Sequence, residues 1–136
     1  MITADVQIRV RYAETDQMGY VYYGNYAIYY EVARGELLRK LGLDYVRLEN
    51  DGFFLPIAKL QVKYIKPAHY DELLTVRAKL KHFNKTALEF EYEIYNQNNE
   101  LINKGYTLQV IVDGKTRKPS KMPDYLTNAI KQHWKD

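Results

Sequence analysis

The sequence predicts an α+β fold: a curled, five-stranded antiparallel sheet around one long central helix, with a short helix at the C-terminal end. Three observations carry this. Five segments alternate apolar and polar residues with a period of two. One stretch near residues 25–41 carries an apolar stripe at helical spacing. The order is strand, helix, then four strands, and each strand has a single apolar face, so one face of the sheet receives the helix. The 136 residues contain no Pro/Gly/Ser-rich linker and no repeat of solenoid length, so 1–136 reads as one domain.

The elements follow in order. In 5–12, Val6, Ile8, Val10 and Tyr12 alternate with Gln7, Arg9 and Arg11, a half-buried strand. Residues 13–24 form a loop punctuated by Gly19 and Gly24. Asn25 is a good helix N-cap by residue type. From there Tyr26, Tyr30, Ala33, Leu37 and Leu41 make the stripe, and Ala27, Ile28, Tyr29, Val32 and Leu38 widen it. Arg39 and Lys40 suit the negative end of the helix, and Gly42 suits its C′ position. Gly35 costs the helix about 1 kcal/mol relative to Ala, which close approach to the sheet would explain.

Four strands follow at 58–64, 74–81, 88–94 and 106–112, the last with Tyr106, Leu108, Val110 and Val112 as its apolar set. The middle two fix their own register. Residue numbers that sum to 170 place Arg77, Lys79 and Lys81 opposite Glu93, Glu91 and Glu89, and the same register pairs Val76 with Ile94, Ala78 with Tyr92 and Leu80 with Phe90. The implied turn is Asn84-Lys85-Thr86. Pro123 opens a terminal helix carrying Tyr125, Leu126, Ala129, Ile130 and Trp134.

Composition removes several chemistries. There is no cysteine, hence no thiol nucleophile, no disulfide and no thiolate metal site, which fits a reducing cytosol. The only serine, Ser120, lies in a Lys-rich turn, a poor setting for a triad. His69, His82 and His133 are far apart and show no metal-ligand spacing. No Gly-rich phosphate loop occurs. The net charge of +3 is too mild and too scattered for nucleic acid, and no apolar run is long enough for a membrane span. Any catalysis must therefore rest on carboxylates and backbone dipoles. Seven of the 14 tyrosines fall between Tyr12 and Tyr30. Their apolar bodies and polar tips suit either a partly wet pocket or a Tyr-rich core.

One segment gathers these features. Tyr12, Asp16, Gly19, Tyr20-Val21, Tyr22-Tyr23 and Asn25-Tyr26, followed by Glu31-Val32-Ala33-Arg34, resemble the hotdog-fold acyl-CoA thioesterases of the 4-hydroxybenzoyl-CoA thioesterase family. Val62-Lys63-Tyr64-Ile65-Lys66-Pro67-Ala68 with Tyr70-Asp71 resembles the end of that family's second strand. Many bacterial relatives carry His where this chain has Tyr23.

The resemblance implies hydrolysis of an acyl-CoA to acid and thiol, with no metal or organic cofactor. Asp16 would be nucleophile or general base, and Tyr23, Gly24 and Asn25 would present backbone N–H groups at the positive end of the helix to the developing oxyanion. Read from the residues alone, Asp16 is rather an Asx-turn residue or a helix-side cap, and the resemblance reverses that preference. Glu14 is the neighbouring carboxylate, otherwise a solvated loop residue. Glu31 is a second carboxylate or the i,i+3 partner of Arg34. Lys85, and less directly Lys118, would meet the phosphates of CoA. The family forms dimers with a shared site, and often tetramers. Two alternatives remain: an acyl carrier protein as the acyl donor, and a hotdog module that binds thioesters without turnover, in which a carboxylate at the helix mouth would have no use.

Overall fold

The computed structural model describes Met1–Asp136. Strand β1 (Ile2–Arg9) leads through two 3-10 turns, Tyr12–Glu14 and Tyr23–Asn25, into helix α1 (Tyr26–Lys40). Helix α2 (Tyr45–Asn50) and strand β2 (Phe53–Phe54) precede β3 (Ile57–Tyr64), β4 (Leu73–Phe83), β5 (Ala87–Tyr95) and β6 (Leu101–Val110). Strand β7 (Val112–Asp113) and helix α3 (Asp124–His133) end the chain. The five-stranded antiparallel sheet has the order β1-β4-β5-β6-β3, and β2 pairs with β7 in a separate ribbon. No helix is long and apolar enough to cross a membrane.

Helix α1 buries Tyr26, Tyr29, Tyr30, Ala33, Arg34, Leu37 and Leu38. They meet Leu74, Val76, Ala78 and Leu80 of β4 and Leu88, Phe90, Tyr92 and Ile94 of β5, all within one core. The helix stops at Gly42, whose φ of +81° is open to glycine at little cost. The Gly42 N–H donates to Arg39 O (2.9 Å) and the Leu43 N–H to Leu38 O (3.0 Å), a Schellman motif.

The β4–β5 register is the predicted one from Val76↔Ile94 to Leu80↔Phe90. A bulge at Lys81 then shifts the ladder to His82↔Glu89, so Lys81 does not oppose Glu89. The ion pairs run diagonally: Lys79 Nζ lies 2.6 Å from Glu93 and Lys81 Nζ 3.9 Å from Glu91. Arg77 turns instead to Asp5 on β1, at 2.8 and 3.0 Å.

Several expectations are corrected. Strand β1 ends at Arg9, and Tyr12 lies exposed in a 3-10 turn. Asn25 is not a side-chain cap: its own backbone is already helical (φ −77°, ψ −15°), and its Nδ2 donates to Glu14 O at 2.9 Å. Helix α3 starts at Asp124, with Pro123 as the residue before it.

Gly35 is not a point of close approach. A methyl group there would meet nothing nearer than Arg39 Nη1, at 3.9 Å. The close approach is at Gly105 on β6, where a methyl group would fall 2.3 Å from the Tyr30 ring. That ring cannot retreat, because it stacks on Tyr92 with centroids 4.4 Å apart.

Strand β6 faces the opposite way from the reading of its apolar residues. Asn103, Thr107 and Gln109 are buried, while Tyr106, Leu108 and Val110 are only half-buried on the outer face. The inner positions are polar because polar groups of α1, β5 and the loop before β3 meet them. The Tyr30 hydroxyl donates to Asn103 Oδ1, and Tyr92 OH and Thr107 Oγ1 share a 2.6 Å hydrogen bond. Arg34 Nη1 donates to Tyr92 OH (3.0 Å) and Arg34 Nε to Tyr45 OH (3.0 Å). Arg34 is only 6% exposed and touches no carboxylate, so the expected Glu31–Arg34 pair does not form. The phenol oxygens do that work, and Glu31 lies on the exposed face of α1.

Candidate active site

The loop between β1 and α1 is built around Asp16. Its Oδ1 accepts the N–H groups of Met18 (2.8 Å) and Tyr20 (3.2 Å), while Gly19 N–H closes on Asp16 O at 3.0 Å. Gly19 sits at φ +78°, where the turn needs a residue without Cβ. Asp16 is therefore an Asx-turn residue, and it also lines a cleft. Because the turn occupies Oδ1, Oδ2 takes no bond from the protein.

The cleft holds about 390 Å³ and is lined by Asp16, Tyr20, Val21, Tyr23, Tyr26, Tyr64, Ile65, Lys66 and Pro67. Tyr26 supplies the floor; it is buried, and that burial raises its phenol pKa. Its ring meets Tyr64 edge-on at 5.4 Å. The Tyr64 hydroxyl donates to Tyr23 O (3.0 Å), tying the end of β3 to the mouth of α1. The far wall is held by Val21 N–H on Ala68 O at 2.8 Å and by a Tyr20↔His69 bridge. At the rim Lys66 pairs with Glu100.

The 3-10 turn Tyr23–Asn25 opens the helix onto this cleft. Its first internal bond runs from Asn25 N–H to Tyr22 O at 2.9 Å. That leaves the N–H groups of Tyr23 and Gly24 ahead of the ladder, at the positive end of the helix. The Asn25 N–H is thus already used, and its side chain holds Glu14. Of the three residues expected to polarise a carbonyl, Tyr23 and Gly24 have donors to give, but only Tyr23 lines the cleft; Asn25 shapes the turn.

Glu14 is not a solvated loop residue. Its side chain is 12% exposed and accepts from Arg11 N–H (2.8 Å), Arg11 Nη2 (3.0 Å) and the Tyr29 hydroxyl (3.0 Å). Burial alone would raise its pKa, but the Arg11 and Tyr29 bonds override this and hold it below the ordinary glutamate value.

The structure does not bring Lys85 or Lys118 to the cleft of their own chain. Lys85 sits in the β4–β5 turn, its carbonyl accepting Met122 N–H at 2.7 Å, and Lys118 O accepts Asp113 N–H at 2.9 Å. Both lie at the Ile57↔Gln109 end of the sheet, whereas the cleft lies at the Tyr64↔Asn103 end. Seven strand residues at roughly 3.3 Å each separate these ends by about 23 Å. The basic group within the cleft is Lys66, which the residue reading left without a role although its motif, Lys63-Tyr64-Ile65-Lys66-Pro67, was part of the resemblance. No group of three or more His, Cys, Asp or Glu side chains comes together anywhere in the chain.

Known proteins share this fold. The chain is 38% identical over 125 residues to YneP of Bacillus subtilis, named provisionally as an acyl-CoA thioesterase, with 89% of this chain and 91% of YneP covered. It is 33% identical to the acyl-CoA thioester hydrolase YbgC of Escherichia coli, covering 92% of this chain and 93% of that protein. The structure of a DHNA-CoA thioesterase from Staphylococcus aureus superposes with a TM-score of 0.92 at 35% identity, covering 97% and 91% of the two chains. The family model described as the thioesterase-like superfamily matches residues 10–130. A sheet of this order around one helix is the hotdog fold of that group, and the chain belongs to the thioesterase-like superfamily.

Proposed function

We propose that this protein hydrolyses acyl-CoA thioesters to a free acid and CoA, with Asp16 as the reacting carboxylate. One observation carries the reading: Asp16 and Tyr23 line a single aromatic cleft, and the N–H groups of Tyr23 and its neighbour Gly24 are left unbonded at the mouth of the helix. The names of YneP, YbgC and the DHNA-CoA thioesterase support the substrate class.

The thioester carbonyl oxygen sits against the Tyr23 and Gly24 N–H groups, which stabilise the charge that develops on it. Asp16 Oδ1 is held by the turn, so Oδ2 is aimed without being consumed. It attacks the carbonyl carbon to give an anhydride that water opens, or it takes a proton from water that attacks directly. Either way water is added across the acyl–sulfur bond and the thiol leaves. The tyrosines shield the reacting carbon and admit an apolar or aromatic acyl group.

We place the working unit in a homodimer formed through β3. That strand is a sheet edge, and its inward-facing Leu60 (46%) and Tyr64 (51%) are exposed, as is Ile57 (43%). Two-fold antiparallel pairing of β3 edges sets the start of the partner's strand beside this chain's Tyr64. It thereby brings the partner's far sheet end, with its lysines, to this cleft. CoA phosphates then meet Lys66 of one chain and Lys85, with Lys118 more distant, from the other. A cysteine-free chain suits a reducing compartment such as the cytosol.

The test is a hydrolysis screen over short, long and aromatic acyl-CoAs with free-thiol detection, run on the parent and Asp16→Asn. Turnover that Asp16→Asn abolishes supports the reading, and no turnover of any acyl-CoA by the parent sinks it.

A further inference from the structure

We infer that Glu14 is a positioning residue of this site, the bracket that sets Asp16 against the first turn of α1. The inference rests on the catalytic reading of Asp16 and extends it to a group that cannot reach substrate. The Glu14 side chain is 12% exposed and does not line the cleft. Glu14 accepts six hydrogen bonds, and they join the three segments whose relative placement defines the site.

On the backbone side, Glu14 O accepts the Tyr22 N–H and Asn25 Nδ2, both at 2.9 Å. Tyr22 immediately precedes, and Asn25 closes, the turn that presents the Tyr23 and Gly24 N–H groups. On the carboxylate side, Oε1 accepts Arg11 N–H (2.8 Å) and the hydroxyl of the buried Tyr29 (3.0 Å), one turn into α1. Oε2 accepts Arg11 Nη2 at 3.0 Å and Nε at 3.3 Å. Asp16 follows two residues later, and a Thr15↔Val21 bridge carries the constraint across the loop. Glu14 thus clamps the end of β1, the start of the Asp16 loop and the mouth of the helix to one another. Preorganised geometry of this kind is worth far more in the chemical step than in ground-state binding, because a misplacement of about 1 Å can cost on the order of 100-fold in rate.

Glu14→Gln keeps the size and two acceptor sites but sets an amide N–H₂ against the Arg11 guanidinium. Tyr29→Phe removes a single bond of the clamp without altering Glu14. Both are measured as kcat and KM on the best acyl-CoA of the screen, in the parent and in the Asp16→Asn background, with Tm recorded alongside. Glu14→Gln is expected to lower kcat about tenfold with KM within about twofold. Tyr29→Phe is expected to give a smaller loss of the same kind. In the Asp16→Asn background neither should lower the residual rate further, because a group that acts through Asp16 has nothing left to position.

Equal losses in both backgrounds overturn the inference, as does a lower Tm with unchanged kcat in both variants. If Glu14→Gln does not fold, the Tyr29→Phe cycle decides by the same criterion. A fully active Asp16→Asn enzyme removes the catalytic reading itself and the inference with it; the single variant shows that outcome without reference to Glu14.

Discussion

The two ends of the sheet carry the same local device and do different things with it. At one end Asp16 Oδ1 accepts the N–H groups of residues two and four further on; at the other, Asn84 Oδ1 accepts Thr86 N–H at 2.9 Å. Both are side-chain-closed turns with charged neighbours. The Asp16 turn faces the positive mouth of a buried helix and a cleft of tyrosines. The Asn84 turn faces the loop before α3, which it holds through Met122 N–H on Lys85 O, and the residue after β6, which it holds through Ile111 N–H on Thr86 O. An Asx turn is thus a way to hold a side chain still. Its surroundings decide whether that stillness serves catalysis or packing.

Substitution at the two turns sharpens the contrast. Asp16→Asn keeps the turn but gives up the carboxylate, so kcat should fall by roughly 100-fold or more with Tm near the parent's. Asn84→Asp at the other end should leave both unchanged. A near-parental rate for Asp16→Asn would make the two turns equivalent. Single-turnover hydrolysis in ¹⁸O-water then separates the two mechanisms. Label recovered in the Asp16 carboxylate marks the anhydride route, because general-base attack on the thioester delivers the label only to the product acid.

The centre of the sheet holds the two ends in register, and Gly105→Ala attacks it directly. The added methyl meets a Tyr30 ring already stacked on Tyr92, and the expected cost is about 1–3 kcal/mol by thermal unfolding. Gly35→Ala is its counterpart in open space. It should be neutral or stabilise by up to about 1 kcal/mol, the helix cost of glycine.

The contrast between the ends breaks if the dimer forms as proposed, because the partner's hairpin then stands at this cleft. Lys85→Ala should raise KM for CoA esters severalfold with kcat nearly unchanged, and the salt dependence of KM should weaken. The same result from Lys66→Ala alone, with Lys85→Ala silent, would keep the far hairpin out of the site. A monomer by light scattering at micromolar concentration would do so as well.

The smallest effect concerns acid. Glu14 is held below the 4.5 of a free glutamate, so its bonds add stability that is complete above that value and is lost as pH falls through the lower folded value. Acid unfolding of Glu14→Gln should therefore lack this contribution, and its stability should change less with pH below about 4.5 than the parent's.

Strands β4 and β5 were legible because two independent patterns, charge and apolar alternation, agreed on one register; only the bulge at Lys81 escaped them. Strand β6 was not, because alternation gives a period without a direction. Its outer Tyr106 and Leu108 are the more apolar set, and its inner Thr107 and Asn103 make sense only once Tyr92 and Tyr30 are seen opposite them. The place of Asp16 in the cleft wall was legible through a motif, whereas Glu14 and Arg34 were misread. Their partners, Tyr29 and Tyr92, stand 15 and 58 residues away in sequence. Lysines 85 and 118 were placed by resemblance, and a single chain has no path from them to the cleft.

The phenol-bound Arg34 has one further consequence. A helix resting on hydrocarbon alone can turn about its own axis and repack at modest cost. Rotation of α1 by one residue, 100°, would pull a guanidinium off two hydroxyls and strand its charge against apolar side chains. Arg34 therefore acts as a key in a keyway that sets the azimuth of the helix, and ten residues upstream that azimuth decides which way the Gly24 N–H points.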